Sequence, residues 1–207
     1  MILANEHLKE ELLNNVINPE INLTWIESVN DFREYNEADA FLDLLFENTS
    51  QRIELLSGLA SRSVIINSVS TTLRKINRPF VRINAWPGFL KRAVVEASSN
   101  NEEMESSAER VFSFFNRNIE WVADEPGFIT ARVIAMIINE AYFALEEKIS
   151  TKEEIDTAMK LGTGYPYGPF EWGDKIGVEN VYKLLIELGK TNPRYKPAPL
   201  LEKEATK

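Results

Sequence analysis

One histidine, His7, is the only imidazole in this 207-residue chain, and there is neither a cysteine nor a Gly-x-Gly-x-x-Gly. A side chain that takes a hydroxyl proton near neutral pH is most simply a histidine. His7 falls in the first turn of an expected surface helix, so a solvated side chain is its expected state. The carboxylate pairs Asp39 with Asp43 and Glu146 with Glu147 have no histidine near them in sequence, and no metal site is expected. No Gly-x-Ser-x-Gly or phosphate-cradling glycine loop is present either. The remaining chemical signal is charge. From Leu55 to Val95 there is no acid, but there are Arg62, Arg74, Lys75, Arg78, Arg82, Lys91 and Arg92. Arg74, Lys75, Arg78 and Arg82 form a candidate anion-binding patch, with Trp86 as its apolar neighbour. The alternative is a solvated face paired with acids around Glu102 or Glu146.

Composition bounds the partners. Thirty-two acidic against 23 basic residues, net −9, disfavour nucleic acid. No run approaches the roughly 18 uninterrupted apolar residues of a membrane span, and no basic-then-apolar leader stands out. A cytoplasmic protein without membrane partners is expected.

These groups need a scaffold, and the first half alternates short apolar runs with helical patterns, the signature of βα units. Strands are expected at Ile2 to Ala4, Ile21 to Ile26, Phe41 to Phe46, Ser63 to Asn67, Phe80 to Ile83, Ala93 to Glu96 and Ile119 to Val122. Helices are expected from Leu8 to Val16, Ser50 to Leu59 and Glu102 to Asn116. After Asp124-Glu125-Pro126 the pattern becomes wholly helical. The segment Ile129 to Leu145 is apolar on nearly every face, as in a helix buried all round. Ser150 and Thr151 before Glu153 and Glu154 mark the start of the next helix, and Gly162 its end. A last helix spans Val178 to Leu188, and the proline-bearing tail from Lys190 reads as an irregular arm. Trp25, Trp86, Trp121 and Trp172 are expected in the core.

Several segments together resemble one family. They are Pro126-Gly127-Phe128-Ile129, the run Asp156 to Pro166 containing Gly162, Thr163 and Gly164, the stretch Gly168-Pro169-Phe170-Glu171, and Arg194-Tyr195 with Pro197 to Leu201. Over residues 124–203 they are similar to the carboxyl-terminal domain of the 3-hydroxyacyl-CoA dehydrogenases. Members of that family oxidise a 3-hydroxyacyl-CoA with NAD, using a histidine paired with a glutamate. The resemblance implies an α/β then all-α architecture: a truncated Rossmann-like domain over 1–123 and a helical dimerisation domain over 124–207.

The resemblance also locates the chemistry. Phe80-Val81-Arg82-Ile83-Asn84-Ala85-Trp86 lies where the family has Phe-x-Gly-x-His-Phe-Phe, so Asn84 takes the histidine position and Glu96 keeps its glutamate partner. Asn67-Ser68-Val69-Ser70 resembles the family's Asn-Thr-Ser-Ser, with Ser70 beside the substrate-contacting position. The family's substrate asparagine becomes Ala131. In the cofactor region Ala4, Glu6 and Lys9 replace the glycines, Glu27 stands for the ribose-binding acid and Asp43 for the glutamate beside the nicotinamide. The path from Met1 to Ala38 is about half the family's. Neither the catalytic nor the cofactor site is intact, and no cofactor is expected. Three functions remain open: an impaired relative that binds acyl-CoA or scaffolds a fatty-acid metabolism complex, an active NAD-dependent dehydrogenase, and a pure interaction protein. In each a homodimer through the carboxyl-terminal domain is expected.

Overall fold

The computed structural model describes residues 1–14, 21–34, 37–59 and 61–207. Two compact units divide after Phe128. In the first, β1 (Ile2–Leu3), β2 (Trp25–Ile26), β3 (Ala40–Asp43), β4 (Ser63–Asn67), β5 (Val81–Ile83), β6 (Val94–Ser98) and β7 (Asn118–Trp121) form one sheet in the order β2-β1-β3-β4-β5-β6-β7. The strands from β2 across to β5 run parallel, β6 is antiparallel to β5, and β7 is parallel to β6. The helices are α1 (Glu6–Leu13), α2 (Ser50–Ser57), α3 (Leu73–Ile76) and α4 (Glu102–Ser113). Val16, expected in α1, lies outside the described residues. The expected strands are all present, β4 at its expected bounds and the rest shifted or shorter.

Alternation along the strands divides the core. Ile65 of β4 joins Ile2, Leu42, Val81 and Ile83 under α1 (Leu8, Leu12) and α4 (Ala108, Phe112). Val64 and Ile66 join Leu3 and Phe41 under α2 (Leu55, Leu56) and α3 (Leu73, Ile76). A parallel sheet covered on both faces needs such continuous apolar runs, which is why Val64-Ile65-Ile66 is entirely buried. The result is Rossmann-like. The common doubly wound order places two strands beyond the first. Among the described residues only β2 lies there, two residues long.

The second unit is helical: α5 (Thr130–Glu146), α6 (Lys152–Thr163), α7 (Pro169–Ile176), α8 (Val178–Gly189) and α9 (Pro199–Ala205). Helix α5 packs on α7, α8 and α9. It is not buried all round, because Val133 is 51% exposed, as is Ile129, just before the helix, at 57%. The tail is more ordered than its prolines suggested. Buried Asn139 of α5 donates to the Lys196 carbonyl (3.0 Å) and accepts from the Ala198 amide (2.8 Å). Pro199 then opens α9 at its first position, where the missing N–H costs nothing. Thr151 and Glu154 form the capping box at the start of α6. Helix α6 runs to Thr163 and ends at Gly164, in the left-handed region at φ 70°, rather than at Gly162.

Candidate functional site at the carboxyl edge of the sheet

In open α/β sheets, ligands bind beyond the carboxyl ends of the strands, where the strand order reverses. Here the reversal falls between β1 and β3. Ala4 to Lys9 follow β1 at this edge, Asp43 ends β3, Asn67 ends β4 and Asn84 follows β5. Asn67 ties three of these ends together. Its Nδ2 donates to the carbonyls of Leu44 (3.1 Å) and Ala85 (3.3 Å), and its Oδ1 accepts from the Ala85 amide (3.1 Å).

Asn84 and Glu96 do meet. The two are 2% and 8% exposed, and Asn84 Nδ2 donates to Glu96 Oε2 at 3.0 Å. Their backbones pair as well, Asn84 N to Glu96 O at 3.0 Å, as the antiparallel β5–β6 register requires. Glu96 is therefore not simply a strand-end residue bound to a lysine or arginine. An amide in this place donates to the carboxylate but cannot accept and hold a proton.

At the start of α1, one of the helix-terminal N–H groups that could hold a phosphate is engaged internally. Asn5 Oδ1 accepts from the Leu8 amide at 2.9 Å. Glu6 adds an exposed carboxylate to the same turn, with Lys9 3.8 Å away. No glycine relieves the backbone between Ala4 and Lys9. This turn does not fit a dinucleotide pyrophosphate. Glu27 directly follows β2, which pairs with β1, so it stands where the ribose-binding acid of such folds is found.

Asp43 is fully buried and holds Arg52 of α2, Nε to Oδ2 at 2.7 Å and Nη2 to Oδ1 at 2.5 Å, while Oδ1 also accepts from the Leu45 amide. Burial raises its carboxyl above the ordinary value, and Arg52 opposes that shift. Arg52→Ala, which strands this carboxylate, should cost the unit about 3–5 kcal/mol. An acid whose folded pKa is raised contributes less stability as pH climbs through that value, and losing Arg52 raises it further. The variant should recover part of its loss in urea melts as pH falls from about 7 to about 5. An equal loss at both pH values would mean that charge is not what the pair contributes.

The candidate anion patch loses one of its four members. Arg82 has no exposed surface: its Nε lies 2.7 Å from Asp124 Oδ1, and burial lowers its guanidinium to about 10, leaving it charged at neutral pH. It cannot belong to a binding surface, because all its donors face the protein's own carbonyls and carboxylate. Arg78 donates to Ser57 Oγ (2.7 Å) and the Asn77 carbonyl (2.8 Å). Arg74 is largely exposed, 3.5 Å from Glu125, and Lys75 is exposed. Trp86 is buried. Ser70 is half-buried, and Ala131 is fully buried on α5 in the helical unit. Among the described residues no group of three or more histidines, aspartates or glutamates is arranged to hold a metal. None of their helices is long and apolar enough to cross a membrane.

His7 is half-exposed but not merely solvated. Its Nε2 lies 2.9 Å from Oε1 of Glu11, a buried carboxylate that also accepts from the Gly88 amide. Buried Arg117 secures the same corner by donating to the carbonyls of Glu11, Leu90 and Phe115. Only the i, i+4 spacing of His7 and Glu11 was visible in sequence.

The family model for the carboxyl-terminal domain of 3-hydroxyacyl-CoA dehydrogenase matches residues 127–207. The chain is 36% identical over 137 residues to an Escherichia coli 3-hydroxyadipyl-CoA dehydrogenase, covering 63% of this chain and 28% of that protein. It is 28% identical over 186 residues to a probable 3-hydroxybutyryl-CoA dehydrogenase of Bacillus subtilis, covering 82% and 65%. The chain thus spans less than two thirds of either relative's length. The crystal structure of (S)-3-hydroxybutyryl-CoA dehydrogenase from Ralstonia eutropha shares the fold, with TM-score 0.70 and 24% identity over 87% of this chain and 68% of that one. With its Rossmann-like sheet followed by a helical unit that matches the family's carboxyl-terminal domain over residues 127–207, the chain is similar to the 3-hydroxyacyl-CoA dehydrogenases.

Proposed function

We propose that this chain is a member of the family that does not oxidise 3-hydroxyacyl-CoA. It acts as a dimeric, cytoplasmic scaffold or interaction protein in fatty-acid metabolism. The observation that carries this reading is the buried Asn84–Glu96 hydrogen bond in the place of the family's histidine–glutamate pair. The glycine-free turn from Ala4 to Lys9 supports it, since Asn5 already takes the Leu8 amide and Glu6 brings a carboxylate to the place where an NAD pyrophosphate would lie. Enclosure of Arg82 removes one of the four cations offered to an acyl-CoA phosphate, which favours a protein partner.

Helix α6 supports self-association. Asp156 is its one buried residue, and Leu161 is 83% exposed. With Ile129, just before α5, and Val133 of α5 also exposed, the helical unit carries apolar surface suited to a two-fold contact. Sedimentation in the presence of NADH tests both halves of the proposal. A dimer boundary that carries no NADH absorbance is expected. A monomer at high micromolar concentration would remove the scaffold, and NADH sedimenting with the protein would restore the dehydrogenase reading.

A further inference from the structure

One fully buried guanidinium joins two distant stretches of the first unit. Arg82 Nη1 donates to the carbonyls of Ser68 (3.0 Å), Thr71 (3.3 Å) and Val69 (3.4 Å), and Nη2 to that of Glu125. Its Nε pairs with Asp124 Oδ1, and its Cζ lies 4.1 Å from the centre of the Phe128 ring. The bonds are reciprocated. Asp124 accepts from the Leu73 and Arg74 amides, both at 3.0 Å, at the start of α3, and the Gly127 amide donates to the Val69 carbonyl at 2.8 Å. The β4–α3 loop and the segment 124–128 that closes the unit are thus held together by the Arg82 guanidinium, by the Asp124 carboxylate that it faces and by the Gly127–Val69 backbone bond. Arg82 and Asn84 project from the same face of the chain, two residues apart.

We propose that Arg82 is an internal clasp that keeps the 68–74 loop and the 124–128 segment closed on each other without any ligand. A loop at the carboxyl edge of an α/β sheet commonly takes its order from what it binds. Here five protein oxygens and an aromatic ring surround a cation supplied by the strand itself. The clasp is independent of whether the chain retains any catalysis, because none of its groups is a candidate acid, base or cofactor ligand.

Hydrogen exchange on the full-length protein tests the clasp. Amides in 68–74 and 124–128 should be protected in the unmodified protein, and equally so with and without acetoacetyl-CoA. Asp124→Asn keeps the shape but removes the charge. It should speed exchange in both segments together by about ten- to a hundredfold, as expected for losing a charge-assisted hydrogen bond. Amides of β4 itself should be unchanged. Arg82→Ala should loosen the same two segments, and millimolar guanidinium ion should restore their protection by refilling the vacated site. If Arg82→Ala does not fold, Asp124→Asn decides alone. Fast exchange in the unmodified protein, protection that depends on acetoacetyl-CoA, or loosening of only one segment would each overturn the proposal.

Discussion

Mixed with NADH and acetoacetyl-CoA, the purified protein is expected to consume no NADH above the uncatalysed rate, and Asn84→His is expected not to change that. Loss of a positioned general base costs about two to four powers of ten by itself. The Asn84 amide points at Glu96 from 3.0 Å, so an introduced imidazole would find its carboxylate partner in place. The start of α1 is a separate obstacle, since Asn5 already takes the Leu8 amide and Glu6 brings negative charge to the turn. Groups that act as a unit are not additive, so one restored member recovers almost nothing. Saturable NADH consumption by the unmodified protein, abolished by Glu96→Ala, would show that the family's chemistry survives here in altered form.

Gly168→Ala should destabilise the helical unit by about 2–5 kcal/mol, from overpacking plus the loss of helix-capping bonds. The backbone at Gly168, φ −73° and ψ 168°, suits alanine, so conformational strain is not the cause. The obstacle is steric. A Cβ there would lie 2.3 Å from Asp156 Oδ1 and 2.4 Å from its Cβ and Cγ. Asp156 cannot withdraw freely, because its carboxylate accepts from the Phe170 (2.8 Å) and Glu171 (3.1 Å) amides that open α7. For a unit of this size the melting temperature should fall by about 10 °C or more. Asp156→Ala alone should cost about 0.5–2 kcal/mol. Adding Gly168→Ala to it should cost little more, because the clash is then gone. An unchanged melting temperature for Gly168→Ala would remove the steric account.

The sequence by itself determined what rests on local pattern. Apolar runs such as Val64-Ile65-Ile66 specified buried parallel strands, Thr151 with Glu154 specified the start of α6, and the motifs from Pro126 to Leu201 specified the helical unit. That Asn84 takes the family's histidine position is an expectation from the resemblance alone, whereas its hydrogen bond to Glu96 is a finding of the structure. Gly168 was visible as a residue of a tight loop, but its partner Asp156 was not.

Only the tertiary structure decided the fate of the charges. Arg82 stood in a basic stretch that resembled an anion patch, yet its ion-pair partner Asp124 lies 42 positions along the chain. Asp43 paired with Arg52 and His7 with Glu11 likewise depend on which helix covers which strand end. Burial and distance set the worth of a charge, and neither is a property of local sequence. An acid-free run can therefore become a solvated face, a ligand site or, as at Arg82, a cation enclosed by its own chain.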